Sequence, residues 1–483
     1  MLEGKELERK ARAYVDEVWE DVVSDIDWLV QVESVEDKEH ARQGAPFGPA
    51  PLEAMTRALH IAERLGLSPH NCEGYIGYAD LKGTSETYIS TIAHSDIVPL
   101  GEGWNFDPLH VTRKDGYLLG RGVLDDKGPL VLSLYAAHFF ARLVGESGEL
   151  LPYTLRCIVG ANEETGMEDV DYYLGHYPEP AFCFTPDACF PLICGEKGHF
   201  TAKVLFEVAD ASEPRIVSLT GGTVSNAVPG KAVALVRASG SELETREGIV
   251  VEPAGTDERS MELCRITATG VGGHASLPEG TKNAIGMLVD YLLDCGLYAE
   301  GERGMLEFER LLLADSYGRE LGVACADDHF GDLTCVGGTV CTERDGSVTR
   351  FVQSMDMRYP MSTTGERLLQ QVVDVARRCG GEVRSSEDAK PFYISPESNE
   401  IKALLDSYAQ ITGKDGKAIT IGGGTYARHF AHAVAFGPDE LGVSHPEWVG
   451  AEHGPDEGVQ EESLKRALVI YIVALARLME LNY

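Results

Sequence analysis

Basic residues are scarce in this chain: 42 Lys and Arg stand against 77 Asp and Glu, a formal net charge of −35 over 483 residues. A surface so negative repels polyanions, which excludes a nucleic-acid backbone and an anionic membrane as partners and leaves a small substrate open. Paired cysteines are missing too. The 11 Cys are scattered from Cys72 to Cys379 without a CxxC spacing, and their odd number leaves at least one unpaired in any disulfide scheme. Such usage fits a reducing, cytoplasmic location. Long apolar runs are also lacking. The longest, Ala467 to Ala476 between Arg466 and Arg477, falls well short of the roughly twenty residues a membrane span needs and reads as a packed C-terminal helix. Met1 to Lys10 alternates acidic and basic residues with no apolar centre, so no ordinary secretory signal is expected. Internal repeats, low-complexity tracts and extended linkers are absent as well. What is there is 43 % hydrophobic, the content of a globular protein with real cores, in a chain long enough for two or three domains.

Hydrophobic periodicity divides the chain into three stretches. Residues 1–196 read as an α/β unit, with helices near Glu8 to Leu29 and Pro51 to Leu65 and strands at Tyr75 to Tyr78, Thr87 to Ala93, Thr154 to Gly160 and Ala181 to Thr185. Leu130 to Val144 is apolar around most of a helical circumference, as a helix covered by neighbours should be. The alternation predicts a mostly parallel central sheet flanked by helices. From about Gly198 the texture changes to alternating strands such as Ala202 to Val208 and Ala232 to Arg237, and an Asp345-Gly346 turn between Val340 and Val348 reads as a hairpin. Residues 197–390 are therefore expected to form an inserted α+β domain. The α/β texture returns over 391–483, in a helix at Ser398 to Gln410 and strands at Ala418 to Ile421 and Ala433 to Phe436. The first domain is thus expected to be discontinuous.

The chemistry-bearing residues gather where strands are expected to end. Ile92-Ala93-His94-Ser95-Asp96 is followed by Gly120-Arg121-Gly122-Val123-Leu124-Asp125-Asp126-Lys127-Gly128-Pro129, then by Asn162-Glu163-Glu164-Thr165-Gly166 and Pro186-Asp187-Ala188. In open α/β sheets ligands bind outside the carboxyl ends of the strands, so groups distant in sequence can share one site. Two divalent ions about 3.5 to 4 Å apart need a bridging carboxylate, ligands for each ion and a separate base for water. Asp125 suits the bridge because both its oxygens can be used, with Asp126 beside it turned away and Lys127-Gly128-Pro129 turning the backbone sharply. Adjacent Glu163 and Glu164 cannot both point one way, so one can ligate while the other takes a proton from water. Asp96 is close enough to accept the other ring N–H of His94 and fix its tautomer. Each motif alone has a plainer reading: a surface His-Asp pair, a solvated Glu-Glu face, a tight turn at Gly422-Gly423-Gly424. Gly120-Arg121-Gly122 is not a dinucleotide fingerprint, since no helix is expected to begin there, and no Cys stands beside a matching His.

Taken in order, His94-Ser95-Asp96, Gly120 to Pro129, Glu163-Glu164, Thr185-Pro186-Asp187 and Glu452-His453-Gly454-Pro455-Asp456-Glu457 resemble the motifs of the M20 metallopeptidases, which include aminoacylases, deacylases of amino-acid precursors, and carnosinase-like and PepV-like dipeptidases. The likeness covers nearly the whole chain. Asp125-Asp126-Lys127-Gly128-Pro129 is more similar to the dipeptidase branch than to the deacylases, where Met more often replaces the second Asp. The resemblance implies His94 and Asp187 as terminal ligands of one ion, Glu164 and His453 as those of the other, Asp125 as the bridge, and Glu163 as general base and acid acting on a bridging water. It also implies a cis Asp125–Asp126 peptide. His445, His429 and His432 lie near enough in sequence to compete for the place of His453. Two divalent ions per chain are implied, Zn2+ first, with Mn2+ or Co2+ also suited to His and carboxylate donors without thiolate.

The same resemblance makes the inserted domain a lid. His274, in Gly272-Gly273-His274-Ala275-Ser276, would stabilise the oxyanion; Asn226 and Arg358 would bind substrate; and Gly423, Gly424, Thr425 and Arg428 would cradle a substrate carboxylate. Backbone N–H groups of a glycine run beside a guanidinium form a sensible carboxylate receptor. Structural roles stay open for Asn226, Arg358 and Arg428, and a plain loop position for His274. The expected activity is metal-dependent hydrolysis of unblocked dipeptides. The alternative is an N-acyl amino-acid deacylase using the same ions, and a third reading is an inactive metal-binding or assembly protein. The insertion is longer than the lid of dimeric relatives and resembles the enlarged lid of PepV-like enzymes, which implies a monomer whose lid closes over the ions.

Overall fold

The computed structural model describes residues 4–208, 215–239, 243–345 and 348–483. The chain forms two compact units: Met1–Gly195 with Tyr393–Ile419 and Gly424–Tyr483, and Glu196–Phe392 with Thr420–Gly423. The four residues Thr420–Gly423 group with the second unit although the chain on either side of them belongs to the first.

In the first unit, helix α1 (Gly4–Val30) buries Leu7, Ala11, Tyr14, Val18, Val22, Ile26 and Leu29, a three-to-four-residue spacing that makes one apolar stripe. Helix α2 (Pro49–Arg64) begins with proline, whose missing N–H costs nothing in a first turn. Helix α3 (Lys127–Ser147) is buried around most of its circumference over its first four turns and stops at Gly148 in a left-handed conformation. It is long and apolar enough to cross a membrane and exceeds the run at Ala467 to Ala476, but here it is largely buried, packed on α1 and the sheet. Helix α4 (Glu168–His176), α5 (Asn399–Thr412) and α6 (Glu461–Leu478) complete the set.

Seven of the nine strands of the central sheet run in the order β1 (Ser68–Cys72), β2 (Ile76–Leu81), β4 (Tyr153–Gly160), β3 (Ser85–His94), β5 (Phe182–Thr185), β7 (Ala433–Ala435) and β6 (Ile193–Glu196), and the short strands Phe392–Tyr393 and Ile419–Ile421 both pair with β6. Its centre is parallel: β3 pairs β4 and β5, and β7 pairs β5. Toward both sides the pairing turns antiparallel, at β1, β2 and β6, so the sheet is mixed at its flanks. Strand β3 is buried without a break from Tyr88 to His94, as expected of a parallel strand covered on both faces.

The second unit is built on an eight-stranded sheet, in the order Ile249–Thr256, Glu262–Thr269, Lys231–Arg237, Ile216–Gly221, Thr334–Asp345, Val348–Tyr359, Gly198–Val208 and Glu382–Ala389. Every pairing in it is antiparallel. Gly198–Val208 buries every second residue, the pattern of a sheet with one face on a core. Helices Ala284–Asp294, Arg303–Leu312 and Gly365–Arg378 pack on it. The hairpin pairs Asp345 with Val348; Gly346 of its turn lies outside the described residues.

Candidate metal centre

The parallel register lines up the ends of three strands. His94 ends β3 opposite Gly160, which ends β4, so Asn162-Glu163-Glu164 begins beside the imidazole. On the other side Thr91 pairs with Phe184. Three residues further on, His94 closes β3 and Asp187 lies two residues beyond the end of β5. Asp125 breaks the expected pattern. The strand before it, Tyr117–Leu119, belongs to a separate small sheet with Thr112–Lys114 and Gly458–Gln460. Asp125 instead lies two residues before α3, and Lys127-Gly128-Pro129 is that helix's first turn rather than a sharp bend.

The side chains converge. His94 is wholly buried, and its Nε2 lies 2.9 Å from Asp125 Oδ1 and 3.7 Å from Asp187 Oδ2. The other Asp125 oxygen, Oδ2, is 2.8 Å from His453 Nε2, which lies 3.3 Å from Glu164 Oε2. Asp125 thus turns one oxygen to each of two imidazoles. Donor atoms of His94, Asp125 and Glu164 fall within 4.8 Å of one another, as do those of His94, Glu163 and Asp187. His94 Nδ1 sits 3.1 Å from the Asp96 main-chain carbonyl and 3.4 Å from the Asp96 carboxylate. The ring proton expected on that carboxylate therefore goes to the carbonyl, and Nε2 is left to face the cluster. The Asp96 carboxylate accepts the Glu164 backbone N–H at 3.1 Å instead. Asp126 is turned away and accepts the His94 backbone N–H at 3.0 Å, and the Asp125–Asp126 peptide is cis. Of the rival histidines, His429 pairs with Asp171 and His445 lies against Tyr117.

So many carboxyl groups in one buried place oppose one another's ionisation. Burial, then the negative neighbours Asp187, Glu164 and Asp125, push Glu163 well above the usual carboxylate range against the opposing pull of His94. Asp187 is raised by burial and by Asp125. Asp125 alone is held low: burial opposes its charge, but hydrogen bonds from His453 and His94 outweigh it. His453 is raised to about 11, chiefly by its hydrogen bonds to Asp125 and Glu164. The donor set is imidazole nitrogen and carboxylate oxygen only, carries excess negative charge, and presents both oxygens of one carboxylate to separate histidines. These residues fit two divalent cations.

The family model for peptidase family M20/M25/M40 matches residues 91–477. The chain belongs to this family. It is accordingly a metal-dependent hydrolase acting on peptide bonds. This M20 peptidase is 32 % identical over 469 residues to the Beta-Ala-Xaa dipeptidase of Lactobacillus delbrueckii subsp. lactis, covering 95 % of this chain and 96 % of that protein. Human carnosine dipeptidase 1 shares its fold with a TM-score of 0.58 at 16 % identity, covering 98 % of this chain and 99 % of the other. The dipeptidase Dug1p of Saccharomyces cerevisiae does so at 0.59 and 13 %, covering 99 % of each.

Within the second unit of the M20 peptidase, Gly273–His274 pairs with Ala227–Val228, and Ala275 N–H donates to the Asn226 carbonyl at 2.9 Å, so His274 and Asn226 are brought together. Ser276 N–H donates to His274 Nδ1 at 3.2 Å, which places the neutral ring's proton on Nε2. Arg358 is buried. Asp356 takes its Nε and Nη2 at 2.8 and 3.2 Å, and its Nη1 donates to the Gly422 carbonyl at 3.0 Å. Arg358 therefore touches the glycine run that includes Gly423. In the first unit, Thr425 caps the short helix Tyr426–His429 through Ala427 N–H at 3.1 Å; Gly424 precedes it and Arg428 lies within it.

Three residues without an assigned role hold the centre's loops. Asp169 accepts Ala161 and Asn162 N–H at 2.7 and 3.1 Å, and the hydroxyl of Tyr426. Glu457 and Arg121 form a buried pair between the Asp125 and His453 loops. Arg121 and Glu457 both stand in motifs read for other reasons, but a pairing across 336 positions leaves no local signal in sequence.

Proposed function

We propose that the chain is a dipeptidase whose two divalent ions are held by His94 and Asp187, by Glu164 and His453, and by Asp125 between them. The observation that carries this is Asp125, with one oxygen at 2.9 Å from His94 and the other at 2.8 Å from His453. Dipeptides are chosen as substrate because the similar Lactobacillus protein, a Beta-Ala-Xaa dipeptidase, matches over nearly the full length of both chains. When bound, such ions, Zn2+ first and Mn2+ or Co2+ as other candidates, polarise the scissile carbonyl and make water more acidic.

The chain's own residues do the rest. Glu163 takes the proton from the attacking water and returns it to the leaving amine, since its carboxylate oxygen lies within 4.8 Å of the donor atoms of His94 and Asp187. His274 donates its Nε2 proton to the developing oxyanion. Asn226 and Arg358 orient the peptide, and Gly423, Gly424, Thr425 and Arg428 receive its carboxylate. Asp96, through its carbonyl and its bond to Glu164 N–H, orients His94 and the Glu163-Glu164 loop. The second unit acts as the lid, the protein works as a monomer, and all 11 cysteines are free thiols, as a reducing cytoplasm would keep them.

The test is hydrolysis of dipeptides, tripeptides and N-acyl amino acids by chelated protein with and without restored Zn2+, Mn2+ or Co2+, read by mass spectrometry. Metal-dependent cleavage of dipeptides alone is expected. Cleavage of N-acyl amino acids alone would move the protein to the deacylases, and no cleavage with any ion would reject the reading. Light scattering at low micromolar concentration should give about one chain's mass; a stable dimer refutes the monomer.

A further inference from the structure

Asp125 and His453 must stand a fixed distance apart to serve two ions, yet they come from loops more than three hundred residues apart. Between those loops lie two side chains almost fully removed from solvent, Arg121 at 1 % and Glu457 at 0 % exposure. One Glu457 oxygen, Oε1, accepts three backbone N–H groups in the Asp125 loop: Gly122 and Leu124 at 3.0 Å and Asp125 itself at 3.2 Å. Its other oxygen takes Arg121 Nη1 at 2.6 Å, and Arg121 Nη2 reaches across to the His453 carbonyl at 3.0 Å. The Arg121 guanidinium also lies over the Trp104 ring, 5.2 Å from its centroid. His453 and Asp456 both adopt the left-handed backbone, with φ of 62° and 56°, a conformation that costs a non-glycine residue energy and persists when its surroundings hold it. Each partner of the buried pair thus carries its own loop and grips the other.

We propose that Arg121 and Glu457 form a clamp that fixes the spacing of Asp125 and His453, which makes both positioning residues for the ion pair; this rests on the metallopeptidase reading above. A buried ion pair is weak evidence of stability in itself, because desolvation offsets its attraction. A clamp therefore has to appear in ion binding and turnover, beyond any effect on melting.

The experiment measures Zn2+ affinity by competition with a chromophoric chelator, kcat and KM at saturating Zn2+, and thermal melting, for Glu457→Gln, Arg121→Lys and the double variant. Arg156→Met is the control: its bidentate bond to Asp80, at 2.7 and 2.8 Å, is a comparable pair in the same unit outside the centre. Each single variant should bind Zn2+ about 10- to 100-fold more weakly. Each should lose kcat with KM little changed, and the double should be no worse than the worse single, as groups acting as a unit behave. Arg156→Met should melt earlier and bind Zn2+ as the wild type does. Folded variants with wild-type Zn2+ affinity overturn the clamp alone, as does an equal loss in Arg156→Met. A wild type that takes up no Zn2+ overturns both the clamp and the reading beneath it. Should the variants not fold, hydrogen exchange in chelated wild type decides: the amides of Gly122, Leu124 and Asp125 should be protected before any ion is added, and unprotected amides there overturn the clamp.

Discussion

At the scale of single residues, the proposed mechanism divides the centre into groups that hold charge and one, Glu163, that moves a proton. Glu163 sits with His94 and Asp187, but the ligands proposed for the two ions are His94, Asp187, Glu164, His453 and Asp125, without it. Replacing Glu163 with Ala should leave about two ions per chain, counted by elemental analysis, and lower kcat by roughly 10²- to 10⁴-fold or more. Near-wild-type turnover would end its role as the proton carrier. A buried carboxyl of a different kind lies in the other unit. Glu309 is fully buried, neither oxygen has a hydrogen-bond partner among the described residues, and burial alone lifts it from 4.5 to about 8. Between those values the native state keeps a proton that the unfolded chain has lost, so this group's contribution to stability falls as pH rises from 4.5 and levels off above 8. Glu309→Met removes that dependence. Its stability advantage over wild type should grow by about 1.4 kcal/mol per pH unit across that span, measured by urea unfolding at pH 5.5, 7 and 9. An advantage that stays constant with pH would show that Glu309 is not neutral in the folded protein.

At the scale of elements, what positions the chemistry is how loops leave the sheet. The loop after β4 is tied by Asp169 at the start of α4, which accepts Ala161, Asn162 and Val170 N–H groups. Ala161 and Asn162 N–H both end on the same oxygen, Oδ2, so Asp169→Ala removes both bonds at once and should let Glu163 and Glu164 drift. A loss of kcat of about 10- to 100-fold with little change in KM is expected, read from steady-state kinetics at saturating Zn2+; a change in KM alone would place Asp169 on the substrate side. The same elements show what sequence could reveal. β3, β4 and β5 were legible because a buried parallel strand is a compact apolar run that stops at a polar residue, so His94, Glu163, Glu164 and Asp187 announced themselves at its end. Asp125 was not legible as to place, since Tyr117–Leu119 finds its partner strand at Gly458–Gln460, and strand pairing at that range has no local signature. Nor was Asp96 fully legible: spacing put it beside His94, but whether its carbonyl or its carboxylate meets the ring depends on backbone geometry.

At the scale of the whole molecule, the first unit joins distant parts of the sequence, with α1, α3 and α6 packed on one another, while the second has a core of its own made from residues 200–376. The proposed ion ligands all lie in the first unit. A ligand that binds only the folded state stabilises it by RT ln(1 + [L]/Kd), about 2.7 kcal/mol at one hundred times Kd, and the excess of buried carboxylates around Asp125 loses its compensating charge when ions are removed. Chelation should therefore loosen the first unit and leave the second as it was. Peptide-resolved hydrogen exchange with and without chelator checks this directly: amides of 85–96 and 155–190 should exchange faster without ions, while those of Gly198–Val208 and Val348–Tyr359 should be unchanged. Restored Zn2+ should return the first set to its original protection. An equal loss of protection in both units would mean that the ions support the fold as one cooperative block, and no loss in either would mean that they do not bind at these residues at all.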